Sequence, residues 1–121
     1  MPLGYMNNVL GNNMSFVYEV NLEVKPHRTK EFHDWLIPHI EEMLTFRGFL
    51  EATWYTRNRQ DEGIQTEVTL WTVHYTLSTP ADYQHYLETH AARMRAEGIS
   101  AFGDDFRASR RLLHSHKAFT R

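Results

Sequence analysis

From Phe16 to Val24 the chain alternates strictly, with aromatic or aliphatic residues at the even positions and more polar ones between them. A period of two predicts a strand with one buried face. Pro26 ends it. From about Thr29 to Leu44 the apolar positions recur every three or four residues, which predicts a helix, with a kink or break at Pro38. Gly48 marks the turn out of that helix. Phe49 to Arg57, rich in Thr, Trp and Tyr, reads as a second strand, and Asn58 to Gln65 as a polar hairpin loop. Thr66 to Leu77 reads as a third strand with large side chains on both faces. A helix start follows, with Thr79 as N-cap, Pro80 at the first position and Asp82 at the third. This helix is expected to reach Glu97 and stop at Gly98. A turn around Gly103-Asp104-Asp105 leads into a last strand from Phe106 to Leu113.

The order β-α-β-β-α-β is that of an α+β, ferredoxin-like fold with a four-stranded antiparallel sheet. Two helices cover one face of such a sheet. The third strand reads as apolar on both faces, so the other face needs a cover, and a second copy of the same sheet is the simplest one. The expectation is a homodimer, a dimeric α+β barrel.

Two stretches carry a resemblance: FHDWLIPHIEEMLTFRGFLEATWY (Phe32–Tyr55) and HAARMRAEGISAFGDDFRASRRLL (His90–Leu113). Their Trp-Leu…His-Ile…Met-Leu helix, Gly-Phe turn and Phe-Gly…Arg-Arg-Leu-Leu ending resemble a family of small uncharacterised bacterial proteins known as a domain of unknown function (DUF4286-like). That family is similar in arrangement to the dimeric α+β barrel superfamily. The likeness spans roughly Ser15 to Leu113 and implies the barrel fold and a dimer, but no activity. Elsewhere the superfamily includes cofactor-free monooxygenases, lactone isomerases, haem-binding enzymes and ligand-sensing modules. Their catalytic residues have no matching motif here, so none is carried over.

At 121 residues the chain makes one compact domain, here 15–113 between a flexible leader, 1–14, and a loosely ordered tail, 114–121. Hydrophobic residues are 41% and charged ones 23%, as in an ordinary globular domain. Thirteen basic against fifteen acidic side chains give a net charge of −2, so there is no global attraction for nucleic acid or anionic membrane. Without cysteine there is no disulfide frame, thiolate nucleophile or thiolate metal site. No apolar run approaches the roughly 20 residues of a membrane span. The first residues lack the regions of a signal peptide, and the expected compartment is the cytoplasm.

Two histidines carry the question of function. His39 lies in line with Phe32, Leu36, Ile40 and Met43, and His90 with Tyr83, Leu87, Ala91 and Met94. A histidine aimed at a core must find hydrogen-bond partners. Each is therefore either a satisfied core group, bridging helix to sheet, or a pocket residue able to act as acid or base. The candidate pocket between sheet and helices comprises His39, His90, Trp35, Trp71, Tyr75 and Arg110. On the alternating last strand Arg110 shares a face with Phe106, Ala108 and Leu112, while Arg107 and Arg111 share the other. An inward arginine either forks a ligand carboxylate or pairs with Glu19 or Glu23 of the first strand.

No metal site is expected: His33 and His39 are six apart and His85 and His90 five apart, so neither pair shares a helix face. Haem would find an axial ligand in His39 or His90, but nothing else argues for it, and no cofactor is assigned. Three readings stand: binding of a small apolar or aromatic molecule, a non-enzymatic homodimeric module with structural histidines, and a cofactor-free monooxygenase- or isomerase-like enzyme. The fold alone cannot choose among them.

Overall fold

The computed structural model describes residues 16–121, so the leader 1–14 lies outside it. Strand β1 (Phe16–Val24) is followed by a 3-10 turn (Pro26–Arg28), helix α1 (Thr29–Met43), strands β2 (Phe49–Arg57) and β3 (Thr69–Leu77), helices α2 (Pro80–Thr89) and α3 (Ala91–Phe102), a second 3-10 turn (Gly103–Asp105) and strand β4 (Phe106–His114). The strands form one antiparallel sheet in the order β2-β3-β1-β4, and the helices cover one face of it. This is the expected ferredoxin-like arrangement. No helix among the described residues is long and apolar enough to cross a membrane.

The core lies between the helices and the even positions of β1. Phe16, Tyr18, Leu22 and Val24 are buried there against Trp71, Val73, Tyr75 and Leu77 of β3 and against Phe32, Leu36, Met43, Tyr86 and Met94 of the helices. Burial of this many large side chains is the main driving force for the fold. At the exit from α1, Gly48 has a positive φ of 83°, and a Cβ there would fall 2.3 Å from the Asp82 side chain. Asp82 in turn accepts from the hydroxyls of Ser78 and Thr79 and donates its own N–H to the Thr79 hydroxyl, so the predicted cap forms as read.

Four expectations are corrected. Helix α1 runs through Pro38 unbroken, because the rest of its apolar stripe is held by the core. The third strand begins at Thr69 rather than Thr66, since the hairpin loop is longer than its turn residues suggest. The last helical region is two helices, not one: His90 sits at the joint with φ −125° and ψ −28°. Gly98 lies inside α3, where a Cβ would meet the Phe106 ring at 3.2 Å and Trp35 at 3.4 Å; the helix ends at Gly103, whose φ is 53°.

A fifth correction concerns the face of the sheet away from the helices. On β3 it carries Leu70, Thr72, His74 and Thr76, and only Leu70 is strongly apolar. The register sets Thr53, His74, Glu19 and Arg111 in one row across all four strands, with Tyr55, Thr72, Asn21 and Ser109 in the next. Glu19 accepts from Asn21 at 2.9 Å and from Arg111, and bonds His74 Nε2 at 2.8 Å; the Thr72 hydroxyl donates to Asn21 at 2.6 Å. Burial alone would raise the Glu19 pKa. The hydrogen bonds from Asn21, Arg111 and His74, with the Arg111 charge, outweigh it and bring the value down to about 2. This face is therefore a paired polar network and not the apolar sheet surface expected.

Candidate functional site

Between sheet and helices lies a cavity of about 50 Å³, walled by Tyr18, Val20 and Leu22 of β1, Trp35, Leu36 and His39 of α1, Tyr75 of β3, Tyr86 of α2, and Arg95 and Gly98 of α3, and closed by Phe106 and Arg110 of β4. Its volume is roughly a third of the ~150 Å³ cavity that admits benzene. Two wider spaces lie on the molecule. One, an outer cleft of about 150 Å³ formed by Trp35, Pro38, His39, Glu42 and Glu97, adjoins the cavity. The other, a basin of about 690 Å³, is on the opposite face of the sheet, among polar groups such as Arg57, Glu62 and Arg107.

His39 and Trp35 form the partition between cavity and outer cleft. Their rings stack at 4.5 Å with 27° between planes. Burial is the main cause holding the His39 pKa below its usual 6.5; Glu97 and Glu42 pull it upward, and the charges of Arg110 and Arg93 lower it further. The imidazole is thus neutral at pH 7 and can accept a proton. Arg93 donates to Glu42 at 2.8 Å and to Glu97 at 2.9 Å, joining α1 to α3 across the cleft rim.

At the other end, Arg95 donates to the Tyr18 hydroxyl at 3.2 Å, while its Nε is buried with no acceptor among the described residues. Arg107 and Arg111 face Glu23 and Glu19 on the polar side of the sheet. Arg110 points to the helix side in register with Val20, and no carboxylate among the described residues lies within ion-pair distance of it. The pairing expected between this strand and β1 thus belongs to Arg107 and Arg111, not Arg110. Burial raises the phenols of Tyr75, Tyr83 and Tyr86 above the usual value of 10, so all three are neutral donors at physiological pH.

Of the candidate pocket residues, His39, Trp35, Tyr75 and Arg110 line the cavity. His90 and Trp71 do not. His90 stacks face to face on Phe46, with centroids 3.8 Å apart and planes at 3°, and its backbone links α2 to α3 by accepting from Met94 and donating to Tyr86. Trp71 packs edge-on against Trp54, centroids 5.0 Å apart, and near Phe32. Sequence reasoning missed the position of Arg95 and the Glu19–His74–Arg111 network. A signal for the network existed, because β1 lies beside β4 in this topology and puts the odd-numbered acids opposite the odd-numbered arginines. Nothing local marks Arg95, which stands just beside the apolar stripe of α3. Among the described residues no group of three or more metal-ligating side chains comes together, and the space beside His39 is far too small for a porphyrin.

The sequence profile of DUF4286, a domain of unknown function, matches residues 15–116. The chain belongs to this family. No curated protein sequence matches it. Among solved structures, a variant of SnoaB, a cofactor-independent oxygenase from Streptomyces nogalater, is similar over 88% of this chain and 98% of its own, with a TM-score of 0.63 and 12% identity. A hydroxynitrile lyase from Passiflora edulis is similar over 87% of this chain and 97% of its own, with a TM-score of 0.58 and 13% identity. A putative antibiotic biosynthesis monooxygenase from Bacillus cereus is similar over 89% of this chain and 99% of its own, with a TM-score of 0.57 and 12% identity. At such identities the likeness establishes the shared ferredoxin-like α+β fold and no activity.

Proposed function

We propose that this DUF4286 domain binds a small aromatic molecule in the cavity between sheet and helices. The observation that carries the reading is an aromatic-walled cavity divided from an open cleft by the stacked Trp35–His39 pair. A shift of this pair joins the two spaces and brings the volume into the range that holds an aromatic ring. Tyr75 and Tyr86 supply an edge-and-face lining and neutral hydroxyls, the usual makeup of a small-molecule site. The test is calorimetric titration of the full chain with indole and phenol. Saturable binding is expected, and it should be lost in Val20→Phe, which fills the cavity, provided a thermal melt shows that variant folded. Absence of binding to both compounds would contradict the reading.

A second reading, a cofactor-free enzyme, is favoured by one observation: a neutral imidazole at the cavity wall, ready to take a proton from a bound phenol or activated C–H group. SnoaB, an oxygenase, and the hydroxynitrile lyase, both similar in fold, point the same way. In that case His39→Gln keeps ligand affinity and abolishes turnover; unaltered turnover would remove His39 from the chemistry.

The assembly belongs to the same proposal. The domain is read as a homodimer built on the polar sheet face, supported by the shared fold and by Tyr55 and Leu113, two exposed large side chains on that face. Sedimentation should give twice the chain mass of 14.4 kDa, and a single species at that mass would refute it.

A further inference from the structure

Five arginines stand on or against the sheet, and three of them can be sorted by a carboxylate partner. Arg57 grips Glu62 with two hydrogen bonds of 2.8 and 2.6 Å, Arg111 holds Glu19, and Arg107 lies 3.5 Å from Glu23. These three face away from the helices, and each has its own carboxylate. The exception on β4 is Arg110, one residue from Arg111 and on the cavity side. A second exception approaches it from α3. Arg95 reaches the cavity, and among the described residues its hydrogen-bonding partners are tyrosine hydroxyls, Tyr18 and Tyr83, and no carboxylate.

Arg110 is exposed and Arg95 half-buried, so water solvates part of their charge, but neither has a carboxylate partner among the described residues. Buried donors on charged groups are seldom left without an acceptor, because the loss exceeds that of a neutral hydrogen bond. The buried Nε of Arg95 is such a donor. Both guanidinium groups act on the same tyrosines, Tyr83 and Tyr86, whose phenols each feel the charges of Arg95 and Arg110. They therefore address one region of the cavity, from which the Arg110 charge also acts on His39. The nearest carboxylates on β4's neighbour, Glu19 and Glu23, lie on the other side of the sheet and are already engaged.

We propose that the ligand of this cavity is an aromatic carboxylate, its ring against Trp35, Tyr75 and Tyr86 and its carboxylate held by Arg95 and Arg110 beside the Tyr18 hydroxyl. The proposal rests on the cavity reading above and adds the charge of the ligand. A planar carboxylate matches the guanidinium fork, which donates two parallel hydrogen bonds, and Arg110 at the cavity's edge lets the anion stay partly hydrated.

The test is calorimetric titration of the full chain at pH 8 and low salt with benzoate, benzamide and acetate. Benzamide has nearly the same shape as benzoate without the charge, and acetate has the charge without the ring. Benzoate is expected to bind roughly ten- to a hundredfold tighter than benzamide, the worth of one charge-assisted hydrogen bond. That preference should vanish in Arg110→Gln and survive in part in Arg110→Lys, which keeps the charge but not the fork. Arg110 is on an exposed edge strand, so both variants should fold; a melt confirms it, and Arg95→Gln serves as the second site. Equal binding of benzoate and benzamide would overturn the anion subsite while leaving the aromatic cavity standing. Acetate binding as tightly as benzoate would mean a general anion site and overturn it too. A preference for benzoate that persists in both Arg110→Gln and Arg95→Gln would take these residues out of the site. Binding of none of the compounds would overturn this proposal together with the cavity reading.

Discussion

The two faces of the sheet differ most clearly at two adjacent residues of β4. Arg111 faces away from the helices and meets Glu19, which also receives Asn21 and His74, so every strong donor in that row has an acceptor. Arg110 faces the helices and meets tyrosines, an aromatic cavity and a second arginine. Strand alternation alone decides which environment each side chain enters. The comparison teaches where to look for function. A closed network of charges stabilises and has little left to offer a ligand, whereas cations and a neutral imidazole around an incompletely filled cavity do.

The largest effect expected is on the closed side. Glu19→Ala removes a carboxylate that is only 7% exposed and strands its three partners. Because Arg111 is 67% exposed and can turn to water, the cost is discounted to about 2 kcal/mol, read by urea unfolding. Binding of aromatic ligands should be unchanged. A loss of affinity would mean that the two faces are coupled.

Acid separates the faces next. Glu19 has a lowered pKa, so its stabilisation is complete above the ordinary 4.5 and is lost as pH falls from there toward about 2. His39 also has a lowered pKa, but it is a base. Below 6.5 the unfolded chain takes up the proton first, so stability declines as pH falls through 6.5 and the decline is complete below the folded value. Glu19→Gln should flatten only the lower window and His39→Gln only the upper one. Stability curves in which either variant flattens both would erase the distinction.

Smaller still is Gly98→Ala. The helix gains up to about 1 kcal/mol from losing a glycine, against a methyl group pressed to 3.2 Å from Phe106 and 3.4 Å from Trp35. The net change in stability should stay within about 1 kcal/mol, while the affinity for indole falls because Trp35 is pushed into the cavity. Unchanged affinity would show that Trp35 does not shape the site. Smallest is Arg110→Gln, which breaks no ion pair among the described residues and should leave stability within about 0.5 kcal/mol of the parent. A melt showing a larger loss would reveal a structural partner for Arg110.

The fold was legible because its signals are local and repeated. Alternation marked β1, and a run rich in Thr, Trp and Tyr marked β2, at the residues where they begin and end, and Thr79, Pro80 and Asp82 announced α2 by capping chemistry. The break at His90 was not legible, since Tyr83, Leu87, Ala91 and Met94 keep helical spacing across it and periodicity does not register the dihedral angles of a joint. Gly98 misled for a related reason: a glycine can end a helix or let a ring approach its backbone, and only the position of Phe106 decides which. The lining of the cavity was legible where facing could be counted, as for His39, Trp35, Tyr75 and Arg110. His90 and Trp71 were assigned to it on their apolar neighbours, but Phe46 and Trp54 claimed their rings first. The polar face was misread because Val68, now in the loop, and Leu70 were given more weight than Thr72, His74 and Thr76.

The chain has three tryptophans, and they give the most direct test that the helix side of the sheet holds the binding site. Trp35 lines the cavity, while Trp54 and Trp71 pack against each other outside it. In a nitrogen–proton correlation spectrum each indole N–H gives its own signal, and indole or benzoate can be titrated against all three at once. The expected result is a saturable shift of the Trp35 signal with much smaller changes at Trp54 and Trp71. A saturable shift centred on Trp54 or Trp71, or three signals that stay in place to millimolar ligand, would contradict it.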